Sequence, residues 1–150
     1  MGNTKSIGVA YSDQDIDGGT IGATTPSTVV GTTVYATTEI GYSAAAQGTV
    51  TQATNKSTAV TLNKSAGQIT MNNASLATAT NATFTLNNST ISANDAVILT
   101  ISGGQTTPGS YNVFANSLAA GSVSITLRNI SGGSLSEAIV INFAIIHCST

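Results

Sequence analysis

Charge is what this sequence has least of. Asp, Glu, Lys and Arg make up 7% of its 150 residues, against about 25% in an average globular domain. Lys5, Lys56, Lys64 and Arg128 stand singly, and the formal net charge is −2. No basic stripe is available to neutralise phosphates, which argues against nucleic acid as a partner. Trp is absent, and the four Tyr and three Phe are dispersed, so a stacking platform for single strands is not expected. Cys148 is the single cysteine. It excludes an intrachain disulfide and suits assembly in a reducing cytosol. The longest apolar run, A-I-V-I-N-F-A-I-I-H from Ala138, is interrupted by Asn142. It is too short to span a bilayer, so no membrane partner is expected. No signal peptide is expected either, since the N-terminal residues lack an apolar stretch. The opening M-G-N-T-K-S fits a myristoylation pattern through Gly2 and Ser6, and sequons occur at Asn73–Ser75 and Asn81–Thr83. Both patterns arise readily by chance in a chain rich in Ser, Thr and Asn, and neither is assigned a role.

Thr, Ser, Asn, Ala and Gly stand where charge is missing. The hydrophobic fraction is 41%, so the chain is not a disordered polyelectrolyte. Thr and Val favour pleated strands, and Gly and Asn favour tight turns. The composition therefore indicates an all-β protein. Strands are expected at Thr49–Ala53, Ala59–Asn63, Gln68–Asn72, Ala82–Asn87, Ala96–Ser102, Gly109–Asn116, Ser122–Ile130 and Glu137–Ile146. Alternation is cleanest in S-V-S-I-T-L, where Val123, Ile125 and Leu127 share one face and Ser122, Ser124 and Thr126 the other. Turn signals such as Gly103-Gly104, Pro108-Gly109, Ala120-Gly121 and Gly132-Gly133 separate the strands. The expected fold is an antiparallel β-sandwich or jelly roll of about eight strands. Residues 1–47 have a different texture, with Gly, Thr and most of the acidic residues. They are read as an extended arm, and residues 48–150 as a sandwich head.

Two strands are apolar on both faces. A-V-I-L-T-I places Val97, Ile98, Leu99 and Ile101 on both parities, and the run from Ala138 does the same with Ile139, Val140, Ile141, Phe143, Ile145 and Ile146. A sandwich strand usually keeps one polar face. Apolar residues on both sides suggest that one face meets the core and the other a neighbouring subunit, unless a loop covers it. Val97, Leu99, Val140, Phe143 and Ile145 are the candidate interface residues.

Catalytic and metal-binding patterns are sparse. Asp13, Asp15, Asp17 and Gly18 match the start of an EF-hand loop, but its twelfth position is Thr24 rather than a carboxylate. The aspartates are better read as a solvated turn. His147 is the only histidine, and so close to the end of the chain it is expected to be frayed, together with Cys148. Glu39, Asp95 and Glu137 are isolated in sequence, so a carboxylate pair for glycoside chemistry would have to be assembled in space. No catalytic residue, metal or other cofactor is assigned, and the chain is expected not to be an enzyme.

Two stretches carry a resemblance. I-D-G-G-T-I-G-A-T-T-P-S, Ile16 to Ser27, followed by Gly31-Thr32-Thr33-Val34, resembles a segment recurrent in bacteriophage fibre and appendage proteins. That segment commonly runs I-D-G-x-x-I-G-x-T-T-P and then G-T-F. Here Val34 stands in place of the aromatic, and Val29-Val30 lengthen the gap. The stretches T-V-T-Q-A-T-N-K-S-T-A-V-T-L-N-K, G-Q-I-T-M-N-N-A-S-L, F-T-L-N-N-S-T-I and I-T-L-R-N-I-S-G-G-S-L-S-E-A-I-V-I-N-F-A, from Thr49 to Ala144, are similar to a small domain of phage and prophage virion proteins. The block Ser131 to Ala138 is the most specific part. The resemblance implies a surface-displayed β-sandwich, usually homotrimeric, with a structural role and no catalytic residue.

The resulting expectation is a capsid decoration or cement protein on the outer surface of the virion, assembled in the host cytoplasm. Its partners would be the major capsid protein and two further copies of itself. Ile7, Val9, Ile16, Ile21, Val29, Val30 and Val34 would form the capsid-binding arm, since these apolar residues are too few for a private core. The alternative is a short tail-fibre or head-fibre subunit contacting host protein or glycan. Exposed aromatics at the tip of the domain would favour it, and Tyr111 and Phe114 are the only near pair.

Overall fold

Among the described residues the chain forms eight strands and a single 3₁₀ turn at Ala44–Ala46, with no α-helix. The computed structural model describes Gly31 and residues 33–148. The chain divides into two units, Met1–Glu39 and Ile40–Thr150, and the strands all belong to the second. They are β1 (Gln47–Thr51), β2 (Val60–Thr61), β3 (Ala66–Thr70), β4 (Asn81–Asn87), β5 (Ala96–Gly103), β6 (Tyr111–Ala119), β7 (Ser122–Asn129) and β8 (Val140–Ile146). Each lies within or overlaps one of the regions expected from alternation and turn chemistry.

Two four-stranded sheets pack as a sandwich. Sheet A has the order β1-β3-β8-β5, and sheet B the order β2-β4-β7-β6. The expectation of a wholly antiparallel sandwich is corrected at one side. β1 pairs with β3 in parallel, and β2 with β4 in parallel, while the remaining ladders are antiparallel. The cause is topological. From β1 to β4 the chain alternates between the sheets, so β1 and β3, and likewise β2 and β4, are separated by one strand of the other sheet and run the same way. Among sequential strands only β6 and β7 are neighbours. Their turn contains Gly121 at φ +80, a backbone region that glycine adopts without a Cβ penalty.

Period-two alternation builds the core. Leu86, Val123, Ile125 and Leu127 of sheet B meet Ile69, Ile141, Phe143 and Ile145 of sheet A. Burying each such side chain contributes about 1.5–3 kcal/mol. Thr126 is also buried, on the outer side of sheet B. Its hydroxyl donates to Asn116 Oδ1 (3.0 Å) and pairs with Thr83 Oγ1 (2.8 Å), which offsets the cost of removing it from water.

Two buried asparagines end the central strands of sheet B. Asn88 Oδ1 accepts from Thr90 N and Oγ1, and its Nδ2 donates to Lys64 O. Asn129 repeats the device, with Oδ1 accepting from Ser131 N and Oγ and Nδ2 donating to Leu76 O and Gly133 O. Both are N-x-[ST] sequences used as buried turns.

The same loop accounts for the block Ser131 to Ala138. Leu135 exchanges both backbone hydrogen bonds with Leu76 (2.9 and 3.0 Å). Glu137 Oε1 accepts from Thr106 N (2.7 Å). Gly104, at φ +85, packs so closely that a Cβ would lie 2.0 Å from Ala138 O.

Candidate functional site

Ionisable groups on the head are few and mostly engaged internally. From Ile40 onwards they comprise Lys56, Lys64, Asp95, Arg128 and Glu137, besides Tyr, His147 and Cys148. Lys56 and Asp95 are buried, and Glu137 is half-buried. Lys56 Nζ donates to Asn72 O (2.6 Å) and Glu137 O (2.5 Å), joining the β1–β2 loop to the segment before β8. Burial pushes the Lys56 ammonium below its usual pKa, and the nearby Glu137 carboxylate opposes that shift. The hydrogen bonds from Thr106 hold Glu137 below the usual carboxylate range, with help from Tyr111 and Lys56 against its desolvation. Burial, reinforced by Glu137, raises the Tyr111 hydroxyl well above its ordinary value. Lys64 Nζ donates to Ala45 O (2.8 Å). Arg128 is exposed and has no carboxylate partner among the described residues.

Asp95 has a role that sequence spacing concealed. Its Oδ2 accepts from Ser92 N (2.8 Å) and His147 Nδ1 (2.9 Å), and its Oδ1 from Cys148 N (3.1 Å). The expectation of a frayed His147–Cys148 end is therefore corrected: a buried carboxylate clasps it to the start of β5. These donors, the Ser92 amide first, hold Asp95 below the usual carboxylate range. An ionised Asp95 can only accept, so His147 carries its proton on Nδ1.

The Asp95 clasp has a pH signature. A folded-state pKa below the unfolded value of about 3.9 means that the unfolded chain takes up protons first as pH falls. The contribution is complete above that value and is lost as pH drops through the folded one. Glu137 acts in the same direction. Asp95→Asn is expected to reduce the drop in thermal midpoint between pH 7 and pH 3; an identical drop in both proteins would refute the assignment.

Asp95 and Glu137 do not form a carboxylate pair. Asp95 binds residues beyond the C-terminal end of β8, and Glu137 precedes its N-terminal end. At ~3.3 Å per strand residue they lie roughly 20 Å or more apart, against about 5–9.5 Å for glycoside hydrolysis. Among the described residues no group of three or more His, Cys, Asp or Glu is placed to hold a metal ion. No helix among them is long and apolar enough to cross a membrane. The Asp13, Asp15 and Asp17 turn lies outside the described residues, as do Ile7, Val9, Ile16, Ile21, Val29 and Val30. Val34 is described and exposed.

The residues expected at a subunit interface separate by parity. Phe143 and Ile145 face the sandwich interior and are core residues of the chain itself. Val97 and Leu99 point the same way and are partly buried against that core. Only Val140 is on the outer face. Its outward companions are Ala144 and Ile146 on β8 and Ala96, Ile98 and Thr100 on β5. Ile98 and Ile146 are 49% and 53% exposed, so no loop among the described residues covers them. The Tyr111–Phe114 pair also divides: Tyr111 is buried, and Phe114 is exposed on the outer face of sheet B.

Farther across sheet A, its outer surface carries a shallow trough of about 550 Å³, whose lining includes Ala44, Gln47, Thr49, Gln68 and Asn142. Asn142 Oδ1 accepts from Gln68 Nε2 (3.1 Å) and Ser102 Oγ (2.9 Å). Among the described residues, no partner takes Asn142 Nδ2 or Gln68 Oε1. The trough is uncharged, with amide groups held in place and available to a ligand.

Against this geometry, no protein family, no curated protein and no solved structure matches the chain.

Proposed function

We propose that the chain is a structural protein of a bacteriophage virion, a capsid decoration protein that binds the outer shell as a homotrimer and cements neighbouring capsomers. The observation that carries this reading is the near absence of free charge on the head, where Arg128 is the conspicuous exposed ionic group. A small domain working alone in solution ordinarily relies on surface charge of both signs to stay dispersed. A domain whose surfaces pack on a shell and on its own copies does not. The phage-like segments at Ile16–Ser27 and Thr49–Ala144 point the same way. Residues 1–47 act as the shell-binding arm, and three arms on one trimer reinforce one another, so each contact can be weak.

A second reading, a short tail-fibre or head-fibre subunit, is favoured by the trough at Gln68 and Asn142, whose available amides suit hydroxyl-rich glycans. Copy number separates the two. In purified particles carrying the chain, its ratio to the major capsid protein is expected to be of order one. A few copies per particle, in a small multiple of three, would reject decoration in favour of a fibre.

A further inference from the structure

We propose that the outer face of β5 and β8, with the free edge of β5 beside it, is the surface through which copies of this chain pack around a common axis. This inference rests on the assembly reading above and identifies its contact.

The apolar side chains are contiguous. In the β5–β8 register Ala96 lies opposite Ile146 and Ile98 opposite Ala144, so Ile98 and Ile146 are diagonal neighbours on one face. Tyr42 lies on the β3 side of β8, where its hydroxyl donates to Ile145 O, and it too is exposed. A cluster of this kind differs from scattered surface apolar residues and marks a contact.

The edge adds a second, independent feature. Ile145 N donates to Ser65 O, and Met71 N donates to Ile139 O. Odd-numbered residues of β8 therefore direct their backbone groups to β3, and even-numbered ones to β5. Their β5 partners are Ala96, Ile98 and Thr100, which leaves the N–H and C=O groups of Val97, Leu99 and Ile101 pointing off the sheet. The strand A-V-I-L-T-I-S-G contains no charge and no proline. Natural edge strands of this length are commonly protected by charge, proline or a bulge, and β5 has only an irregularity past Ile101, between Ile101 and Gly103.

Size and charge identify the occupant. Two strands of this length form a stripe of roughly 10 by 25 Å, well short of the ~800 Å² per partner of a stable two-body interface. A closed heterologous ring gives each copy two such contacts, one on the face and one along the edge, and contacts that close on one another reinforce each other, so neither has to reach that area alone. No charged side chain lies on the stripe to steer a foreign partner. Identical apolar stripes need none.

The test is the mass of the full chain by sedimentation velocity and native mass spectrometry. Wild type is expected as one oligomer, and Ile98→Lys with Ile146→Lys as a folded monomer. Phe114→Lys, on the other sheet, is expected to retain the wild-type mass. In a Cys148→Ser background, Ile98→Cys should form interchain disulfides on oxidation and Phe114→Cys should not, a readout that does not depend on the lysine variants folding. A double lysine variant of wild-type mass, or no Ile98→Cys cross-link, would overturn this contact while leaving the assembly reading in place. A monomeric wild type at micromolar concentration would overturn both.

Discussion

Asn129→Ala is expected to destabilise the head by about 2–3 kcal/mol and to lower its thermal midpoint by roughly 5–10 °C. Asn129 is fully buried, and both ends of its amide are saturated. Nδ2 serves Leu76 O at 2.9 Å and Gly133 O at 2.8 Å, and Oδ1 receives Ser131 N at 2.9 Å and Ser131 Oγ at 2.7 Å. Alanine leaves the Ser131 amide without its acceptor, worth about 1–3 kcal/mol when buried and unsatisfied, and takes one of two donors from Leu76 O and Gly133 O, which keep Leu135 N and Ser131 Oγ. The Leu76–Leu135 bridge lies beside the lost contact and loosens with it. Urea unfolding of the two proteins measures the difference. A loss below about 1 kcal/mol would show that water replaces the amide and that the loop does not depend on it.

Lys56→Met is the second large effect. Methionine retains much of the apolar stem but leaves Asn72 O and Glu137 O without the ammonium that joins them. Two unsatisfied carbonyls cost about 2–4 kcal/mol. Removing the ammonium also relieves its desolvation, the same burial that lowers its pKa, so the net loss is expected near the lower end, about 2 kcal/mol. The sign of the pH dependence identifies the cause. A lysine with a depressed folded-state pKa carries a penalty below that pKa, and the penalty fades as pH rises through it toward the unfolded value. Wild type should therefore gain stability relative to Lys56→Met between neutral pH and about pH 10. A constant difference over that range would mean that the lysine acts through packing alone.

The same physics explains which parts of the molecule were legible in the sequence. β7 was fully legible because S-V-S-I-T-L has apolar residues on one parity only, and the sheet buries that parity. In β5 and β8 both parities are apolar, so alternation could not say which faced inward. Phe143 and Ile145 were accordingly expected at an interface and lie instead in the core, while Ile98 and Ile146 are the exposed pair. The Asp95–His147 clasp joins residues 52 positions apart, and nothing near either residue signals the other. The parallel pairing of β1 with β3 was equally invisible, because a strand's alternation describes its faces and not its neighbours.

By itself, the sequence determined the all-β class, the number and placement of the strands, the turns between them and the scarcity of surface charge. These follow from period-two patterning, Gly and Asn at the turns and composition, all of which are local. Only the tertiary structure decided the sheet order, the inward parity of β5 and β8, the lysine and aspartate clasps and the uncovered Ile98–Ile146 stripe. Each of these depends on residues distant in the chain that meet only when two sheets close over one core.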